Sequence, residues 1–294
     1  MNKTLVGLLW GLGVSSIWGG MYVVSKVVLE IIPPFALVTI RLLLGALTLA
    51  MVLLFRGFPS LSRKQFLQVL GVGFVGYGVS LSLQFLGTKL STAANGSLVT
   101  SATPAFVLLF AWMLLKETIT PLRLISLMLA TLGVIAVIDP RSAQLNPELF
   151  LGNLSLIGAA ITWALYSVLV RKTTQTLDVD VRPFSLLAFL GGLPVTIPAG
   201  AWELGTIGIG EITPGVVGGL LFLGMISTAL AMVLWNTAFA LVDASLASLT
   251  FFAQPVVGTL LGWLFLGEQI TPLFLLGGFL IGLGLVISTR EKQA

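Results

Sequence analysis

Long apolar stretches alternate with short polar intervals along the chain, from Leu5 to Ser288. A helix needs about 20 apolar residues to cross a hydrocarbon core of about 30 Å, and most of these stretches approach that length. Charges, prolines and polar clusters mark where each predicted helix begins and ends. The pattern predicts an all-α integral membrane protein of ten transmembrane helices. The helices are predicted near residues 5–28, 35–54, 66–86, 93–115, 122–138, 150–170, 184–201, 214–240, 244–266 and 272–288.

Composition agrees with a lipid environment and excludes several function classes. The chain is 57% hydrophobic and 9% charged, against roughly 25% charged residues in a typical soluble domain. It has no Cys and no His, so thiol nucleophiles, cysteine metal clusters and the commonest catalytic base are missing. The basic residues are scattered between apolar stretches rather than gathered in a patch, which argues against a nucleic-acid partner. We therefore expect no catalytic residues, no metal site and no cofactor.

The distribution of Lys and Arg predicts the orientation of the chain. With a cytoplasmic N-terminus, eleven basic residues fall on the inner side and only Lys89 and Arg141 on the outer side. The opposite orientation would invert this bias, which the positive-inside rule forbids. Both termini are therefore predicted to be cytoplasmic.

The second half of the chain repeats the first. A block that begins at Pro104 recurs from Pro255 at an offset of 151 residues, and the surroundings of Trp18 recur around Trp163 at an offset of 145. Each half holds five predicted helices, and an odd number makes the second half cross the membrane in the opposite sense. The chain is thus predicted to form two inverted five-helix repeats, residues 1–145 and 146–294.

Several polar side chains are predicted inside the membrane. Tyr77, Ser80 and Gln84 recur at helical spacing and share one face of the third helix. Such residues either hydrogen-bond neighbouring helices or contact a solute. Thr103 and Gln254 hold equivalent positions in the two repeats, which favours the second interpretation. The polar residues predicted to contact a solute are Tyr77, Ser80, Gln84, Asn95, Thr103 and Gln254.

Trp18 and Trp163 are predicted near mid-membrane, whereas tryptophans that anchor helices gather at the interfaces. They either pack in the core or form a pocket wall whose rings accept an apolar or cationic solute. Tyr166 lies one turn beyond Trp163 and extends the same aromatic face. Trp18, Trp163 and Tyr166 therefore join the predicted solute-binding residues.

Lys26 and Arg41 are the two basic residues predicted within membrane spans, where ionisable side chains are functional candidates. Lys26 lies near a helix end and can extend to the interface. Arg41 lies deeper, and its possible partners are backbone carbonyls, Glu30 or a carboxylate of the solute.

Pro104 and Pro255 interrupt their predicted helices and are expected to bend them. Glu117 and Glu268 are each followed three residues later by Thr-Pro. This spacing predicts Thr120 and Thr271 as N-caps of the next helix, with each glutamate near that same N-terminus.

These features together resemble the EamA-type drug/metabolite transporters. The resemblance rests on Trp18 and Gly19 before Lys26, on Pro34 before Arg41, and on the doubled Pro…Glu-x-x-Thr-Pro block. It implies the ten-helix fold of that superfamily and alternating access, without ATP, around a central cavity lined by both halves. It also implies residence in a bacterial inner membrane. The second repeat departs from the pattern, with Ala and Arg where the first has Gly and Lys.

Tyr77 and Trp163 further resemble the aromatic residues of the YddG-like aromatic amino acid exporters. The expected function is export of small metabolites, foremost aromatic or hydrophobic amino acids, with the bilayer and a small solute as partners. Alternatives are a multidrug or quaternary-ammonium carrier, a sugar- or nucleotide-like carrier, and a non-transporting membrane scaffold. The oligomeric state is left open, and a monomer is compatible with the sequence.

Overall fold

The computed structural model describes residues 3–55, 61–90, 100, 103–138, 147–177, 180–266 and 272–289, which form a bundle of helices. The predicted boundaries that fall on described residues agree with it to within five residues, except that α6 continues seven residues beyond its predicted end at residue 170. The predicted start of the fourth helix, residue 93, lies outside the described residues. The helices are α1 (Lys3–Leu29), α2 (Pro34–Leu54), α3 (Arg63–Leu90), α4 (Thr103–Leu115), α5 (Pro121–Ile138), α6 (Pro147–Leu177), α7 (Val181–Thr206), α8 (Pro214–Leu241), α9 (244–266) and α10 (Pro272–Thr289).

Within the described residues, six helices are long and apolar enough to cross a membrane, namely α1, α2, α3, α6, α7 and α8, and shorter apolar helices accompany them. Large apolar side chains such as Leu54, Leu264, Leu275 and Phe279 are exposed on the outside of the bundle. A surface of this kind is stable in lipid and not in water. The protein is therefore a multi-pass membrane protein.

The helices begin where the sequence supplies caps. The Ser62 hydroxyl accepts a hydrogen bond from Gln65 N, and the Gln65 amide oxygen accepts one from Ser62 N, which forms a capping box. Thr213 caps α8 by accepting a hydrogen bond from Val216 N, with Pro214 at the first helical position. Thr120 accepts a hydrogen bond from Arg123 N and so caps α5, as predicted.

Glu117 caps a helix in the other half of the chain, and it also lies near the first turn of α5, where Arg123 pairs with it. Its carboxylate accepts hydrogen bonds from Ala244 N at 2.9 Å and from Ser245 N at 3.3 Å, at the start of α9. Arg123 and Arg171 pair with it at 3.6 and 3.3 Å. The reason is charge: the N-terminal N–H groups of α9 and two guanidinium groups surround one carboxylate. Glu268, the predicted counterpart, lies outside the described residues.

A second carboxylate makes a similar cap. Glu203, near the end of α7, is buried and accepts hydrogen bonds from Phe35 N at 2.7 Å and Ala36 N at 3.0 Å. These N–H groups belong to the first turn of α2, where no preceding carbonyl can bond them. Each of these caps therefore joins a helix of residues 1–145 to a helix of residues 146–294.

The two halves of the chain pack against each other along most of their helices. α1 packs on α8 and α9, α2 on α7, α3 on α6 and α7, α4 on α6, and α5 on α10. Glycines permit the closest crossings, because a Cβ at Gly73 would overlap the Ala188 backbone and one at Gly191 would overlap the Leu70 carbonyl.

Two helices widen into π-helical stretches, Phe74–Ser80 in α3 and Phe222–Leu230 in α8. Such stretches redirect side chains and free backbone carbonyls, and they occur often at functional sites. A third irregularity lies in α9, where Leu249–Phe252 is 3₁₀-helical just before Pro255. The Pro255 ring cannot accommodate the carbonyl of residue 251 in an α-helix, which explains the local change.

Candidate functional site

A cavity lies between the two halves of the chain, with residues of both halves on its walls. It is narrow, with room for roughly one or two water molecules between its walls. A bound solute would therefore require the walls to separate. The cavity is lined by Trp18, Met21, Arg41, Ser80, Leu81, Gln84, Thr100, Thr103, Ala159, Ala160, Trp163, Met232, Phe251 and Gln254.

Most of the predicted site residues meet at this cavity. Lys26 is half-buried and outside its lining, and Asn95 lies outside the described residues. Pro104 and Pro255 immediately follow two lining residues, so any bend there would move the wall. The predicted residues on the lining are Trp18, Arg41, Ser80, Gln84, Thr103, Trp163 and Gln254.

Aromatic rings form a continuous part of the wall. The Trp18 and Trp163 ring centroids are 5.5 Å apart at an interplanar angle of 79°, and Phe251 lies 5.8 Å from Trp18. The Trp18 indole is held in place because its Nε1 donates to the Ser227 carbonyl at 3.1 Å. That carbonyl belongs to the π-helical stretch of α8. Edge-to-face pairs of this kind give a rigid surface against which an apolar solute can pack.

Tyr77 and Tyr166 lie behind this wall rather than on it. Both are fully buried, and the Tyr77 hydroxyl donates to the Tyr166 hydroxyl, which donates to Asn236 Oδ1 at 2.8 Å. Asn236 Nδ2 in turn donates to Ser185 Oγ at 2.9 Å. The Tyr166 ring lies 4.8 Å from that of Trp163. This chain of hydrogen bonds links α3, α6, α8 and α7 and fixes the position of Trp163.

Two of the predicted polar residues also hold helices together. The Ser80 hydroxyl donates to the Ala159 carbonyl at 2.8 Å, and Gln84 Nε2 donates to the Tyr22 hydroxyl at 2.9 Å. The Tyr22 hydroxyl is 3.2 Å from Thr100 Oγ1. Ser80 and Gln84 therefore do both things that were predicted as alternatives: they line the cavity, and they hydrogen-bond neighbouring helices.

Arg41 is completely buried at the edge of the cavity. Its Nε donates to Thr228 Oγ1 at 3.1 Å and its Nη2 to Ser227 Oγ at 3.4 Å, and the guanidinium carbon lies 4.6 Å from the centre of the Phe85 ring. No described carboxylate pairs with it. The sequence did not identify Ser227 and Thr228 as partners, although they are among the few polar residues of a very apolar helix.

Among the described residues, eight buried side-chain polar atoms have no hydrogen-bond partner, and four of them are on the lining: Arg41 Nη1, Thr103 Oγ1, Trp163 Nε1 and Gln254 Nε2. Leaving such a group unpaired away from water costs about 1–3 kcal/mol. Because four such atoms line one cavity, whereas the other four are Ser and Thr hydroxyls away from it, the cavity is the candidate ligand site. Elsewhere in the described residues, no three His, Cys, Asp or Glu side chains converge as a metal site would require.

An apolar exterior around a buried cavity, lined by helices of both halves, defines a polytopic membrane protein with an internal solute site. The model of the EamA-like transporter family matches residues 5–138 and 150–290. The chain belongs to this family. It is a membrane transporter rather than an enzyme.

Similar proteins agree with this assignment. The uncharacterized transporter YoaV of Bacillus subtilis is 25% identical over 98% of this chain and 97% of its own length. An uncharacterized transporter of Archaeoglobus fulgidus is 26% identical over 94% of this chain and 95% of its own. A crystal structure at 20% identity aligns with a TM-score of 0.81 over 97% of this chain and 98% of that one, which shows a shared fold.

Proposed function

We propose that the protein is a secondary carrier that exports amino acids, foremost aromatic and hydrophobic ones, by alternating access around the central cavity. The observation that carries the proposal is the cavity itself, where an aromatic wall stands beside unpaired polar atoms. An amino acid has the matching parts, an apolar body and a charged polar head.

The proposed architecture is two inverted repeats of five transmembrane helices each, residues 1–145 and 146–294, with both termini in the cytoplasm of a bacterium. Three observations support it. The family model matches the chain twice, the π-helical stretches fall in the third helix of each proposed repeat, and the Lys and Arg residues favour the inner side. Two halves of opposite orientation can rock about a shared site and expose it to each side in turn.

The narrowness of the cavity supports alternating access. A phenyl or indole group is much larger than the water-sized space between the walls, so a solute cannot simply diffuse through. Pro104 and Pro255, at equivalent repeat positions beside Thr103 and Gln254, are proposed as the points where the wall bends.

A quaternary-ammonium carrier is the second candidate, because the indole rings of Trp18 and Trp163 could bind a cation by their faces. The charge of the site opposes it. Arg41 is the charged residue of the lining, and among the described residues no Asp or Glu joins it there.

Reconstituted vesicles test the proposal. Proteoliposomes loaded with labelled phenylalanine, leucine or threonine should release phenylalanine and leucine faster than protein-free vesicles, with Trp18→Ala as a variant of reduced rate. If none of the three amino acids leaves faster than from protein-free vesicles, the amino acid proposal is wrong. Resistance of cells to lipophilic cations on overexpression would favour the second candidate instead.

A further inference from the structure

We infer that Arg41 is the receptor for a carboxylate, so that the cavity takes monocarboxylates with an apolar body and rejects the same bodies without the carboxylate. This inference deepens the proposed function and rests on the same cavity. It assigns to Arg41 the binding of one chemical group, which the sequence left open among three kinds of partner.

The first step is the hydrogen-bonding capacity of Arg41. A guanidinium has five N–H groups and no acceptor, and the described protein bonds occupy its Nε and Nη2 while Nη1 has none. The two hydroxyls that it contacts are neutral, and the Phe85 ring offers only its face. The cation is therefore held in position by the protein but not neutralised by it.

The second step is the location of the other unpaired atoms. Trp163 Nε1 can only donate, like Arg41 Nη1, while the Thr103 hydroxyl and the Gln254 amide can donate or accept. All four side chains line the same cavity and are at least nine-tenths buried. A group with several acceptor oxygens and one negative charge has what both obligate donors require. A carboxylate is such a group, and an ammonium is not.

The third step separates a carboxylate from other anions. Among the described residues of the lining there is a single cation, which matches one negative charge and not the two of a phosphate monoester. The remaining wall is apolar, with Trp18, Met232 and Phe251 among its members. A small inorganic anion would leave that wall without contacts. The site therefore fits an anionic head joined to an apolar or aromatic body.

The experiment compares matched probes on the detergent-purified protein by calorimetric titration. 3-Phenylpropionate and 3-phenylpropionamide have nearly the same shape and differ in charge, while phenethylamine has the ring and a cation. The carboxylate should bind at least about tenfold more tightly than the amide or the amine. Equal binding of the three probes, preference for phenethylamine, or no binding of the carboxylate would overturn the inference.

Variants add a second measurement. Arg41→Gln should weaken 3-phenylpropionate at least about tenfold and leave the amide unchanged, and Arg41→Lys, which keeps the charge but loses the fork, should fall between. Arg182→Gln removes an arginine that pairs with Asp180 at the surface and should change neither probe. If Arg41→Gln fails to fold, Arg41→Lys still tests the residue, and the wild-type comparison of the three probes can still overturn the inference.

The outcomes separate this inference from the proposed function. Carboxylate binding without phenylalanine efflux would refute the proposed export of amino acids and would leave the inference about Arg41 in place. Phenylalanine efflux that 3-phenylpropionate does not inhibit, and that phenethylamine does, would leave the carrier in place and overturn the role of Arg41.

Discussion

Replacing Trp163 by phenylalanine should weaken solute binding, but it should lower the free energy of unfolding less than the loss of a hydrogen-bonded buried indole would. Its Nε1 is buried and unpaired, so the substitution removes a penalty of about 1–3 kcal/mol while it also removes ring area. Trp235→Phe is the matched control. Trp235 is fully buried, does not line the cavity, and donates through Nε1 to Ser167 Oγ at 3.1 Å. That variant loses a hydrogen bond with a net contribution of about 1 kcal/mol.

The ring area lost is similar in the two variants, so their difference isolates the N–H group. Trp163→Phe should have a free energy of unfolding about 2–4 kcal/mol higher than Trp235→Phe, measured by equilibrium unfolding in mixed micelles. It should also raise the half-saturating phenylalanine concentration about fivefold, the effect of losing about 1 kcal/mol, whereas Trp235→Phe should not. Equal destabilisation with unchanged phenylalanine transport would mean that Trp163 only packs, and the argument from unpaired atoms would fail.

Three further substitutions test the surroundings of the site. Gly19→Ala would place its Cβ 2.8 Å from the Gln254 carbonyl oxygen, so it should lower both stability and transport. Gly13→Ala meets nothing within 4 Å and should change neither. If the two variants changed stability and transport equally, the close approach of α1 to α9 at Gly19 would be refuted. Glu117→Gln weakens the cap of α9 and should speed maleimide labelling of a cysteine placed at the buried position 247 by Ala247→Cys. The chain has no other cysteine to react, and an unchanged labelling rate would contradict the role of Glu117 in holding the start of α9. Tyr77→Phe removes a buried hydrogen bond and should cost about 1 kcal/mol of stability while the order of preferred solutes stays the same, and a changed order would put Tyr77 on the solute path.

The sequence predicts the helices well because the bilayer imposes one strong rule: each spanning helix must be apolar and about as long as the hydrocarbon core is thick. The repeat also identifies a useful part of the site. Trp18 and Trp163 are repeat partners, as are Thr103 and Gln254, and all four line the cavity. Equivalent positions in two halves that meet at a common interface tend to face the same place, which a single helix cannot reveal.

The sequence fails where the helix is not α-helical. Tyr77, Ser80 and Gln84 share a face only if the turn between them is regular, and the π-helical stretch Phe74–Ser80 widens that turn. Tyr77 consequently lies in the buried hydrogen-bond chain, while Ser80 and Gln84 remain on the lining. Nothing in the local pattern of residues signals this change, because a π-helical stretch is stabilised by packing with other helices.

The partners of Arg41 could not be predicted for a related reason. Its nearest acid in the sequence is Glu30, but its observed partners, Ser227 and Thr228, are about 187 residues away. Contacts between distant helices depend on register and rotation, which hydrophobic patterns do not specify in a span that is apolar on all sides.

The carboxylates of Glu117 and Glu203 accept hydrogen bonds from backbone N–H groups of the helices that they cap, and among the described residues of those helices the one side-chain donor is the Ser245 hydroxyl. Every amino acid except proline supplies a backbone N–H group. The hydrogen bonds of both caps therefore do not depend on which residue other than proline stands at positions 35, 36 and 244, although the burial of Ala36 and Ala244 limits the size of the side chain there. Substitutions on the cavity wall would leave both caps in place, because none of the capping residues lines the cavity.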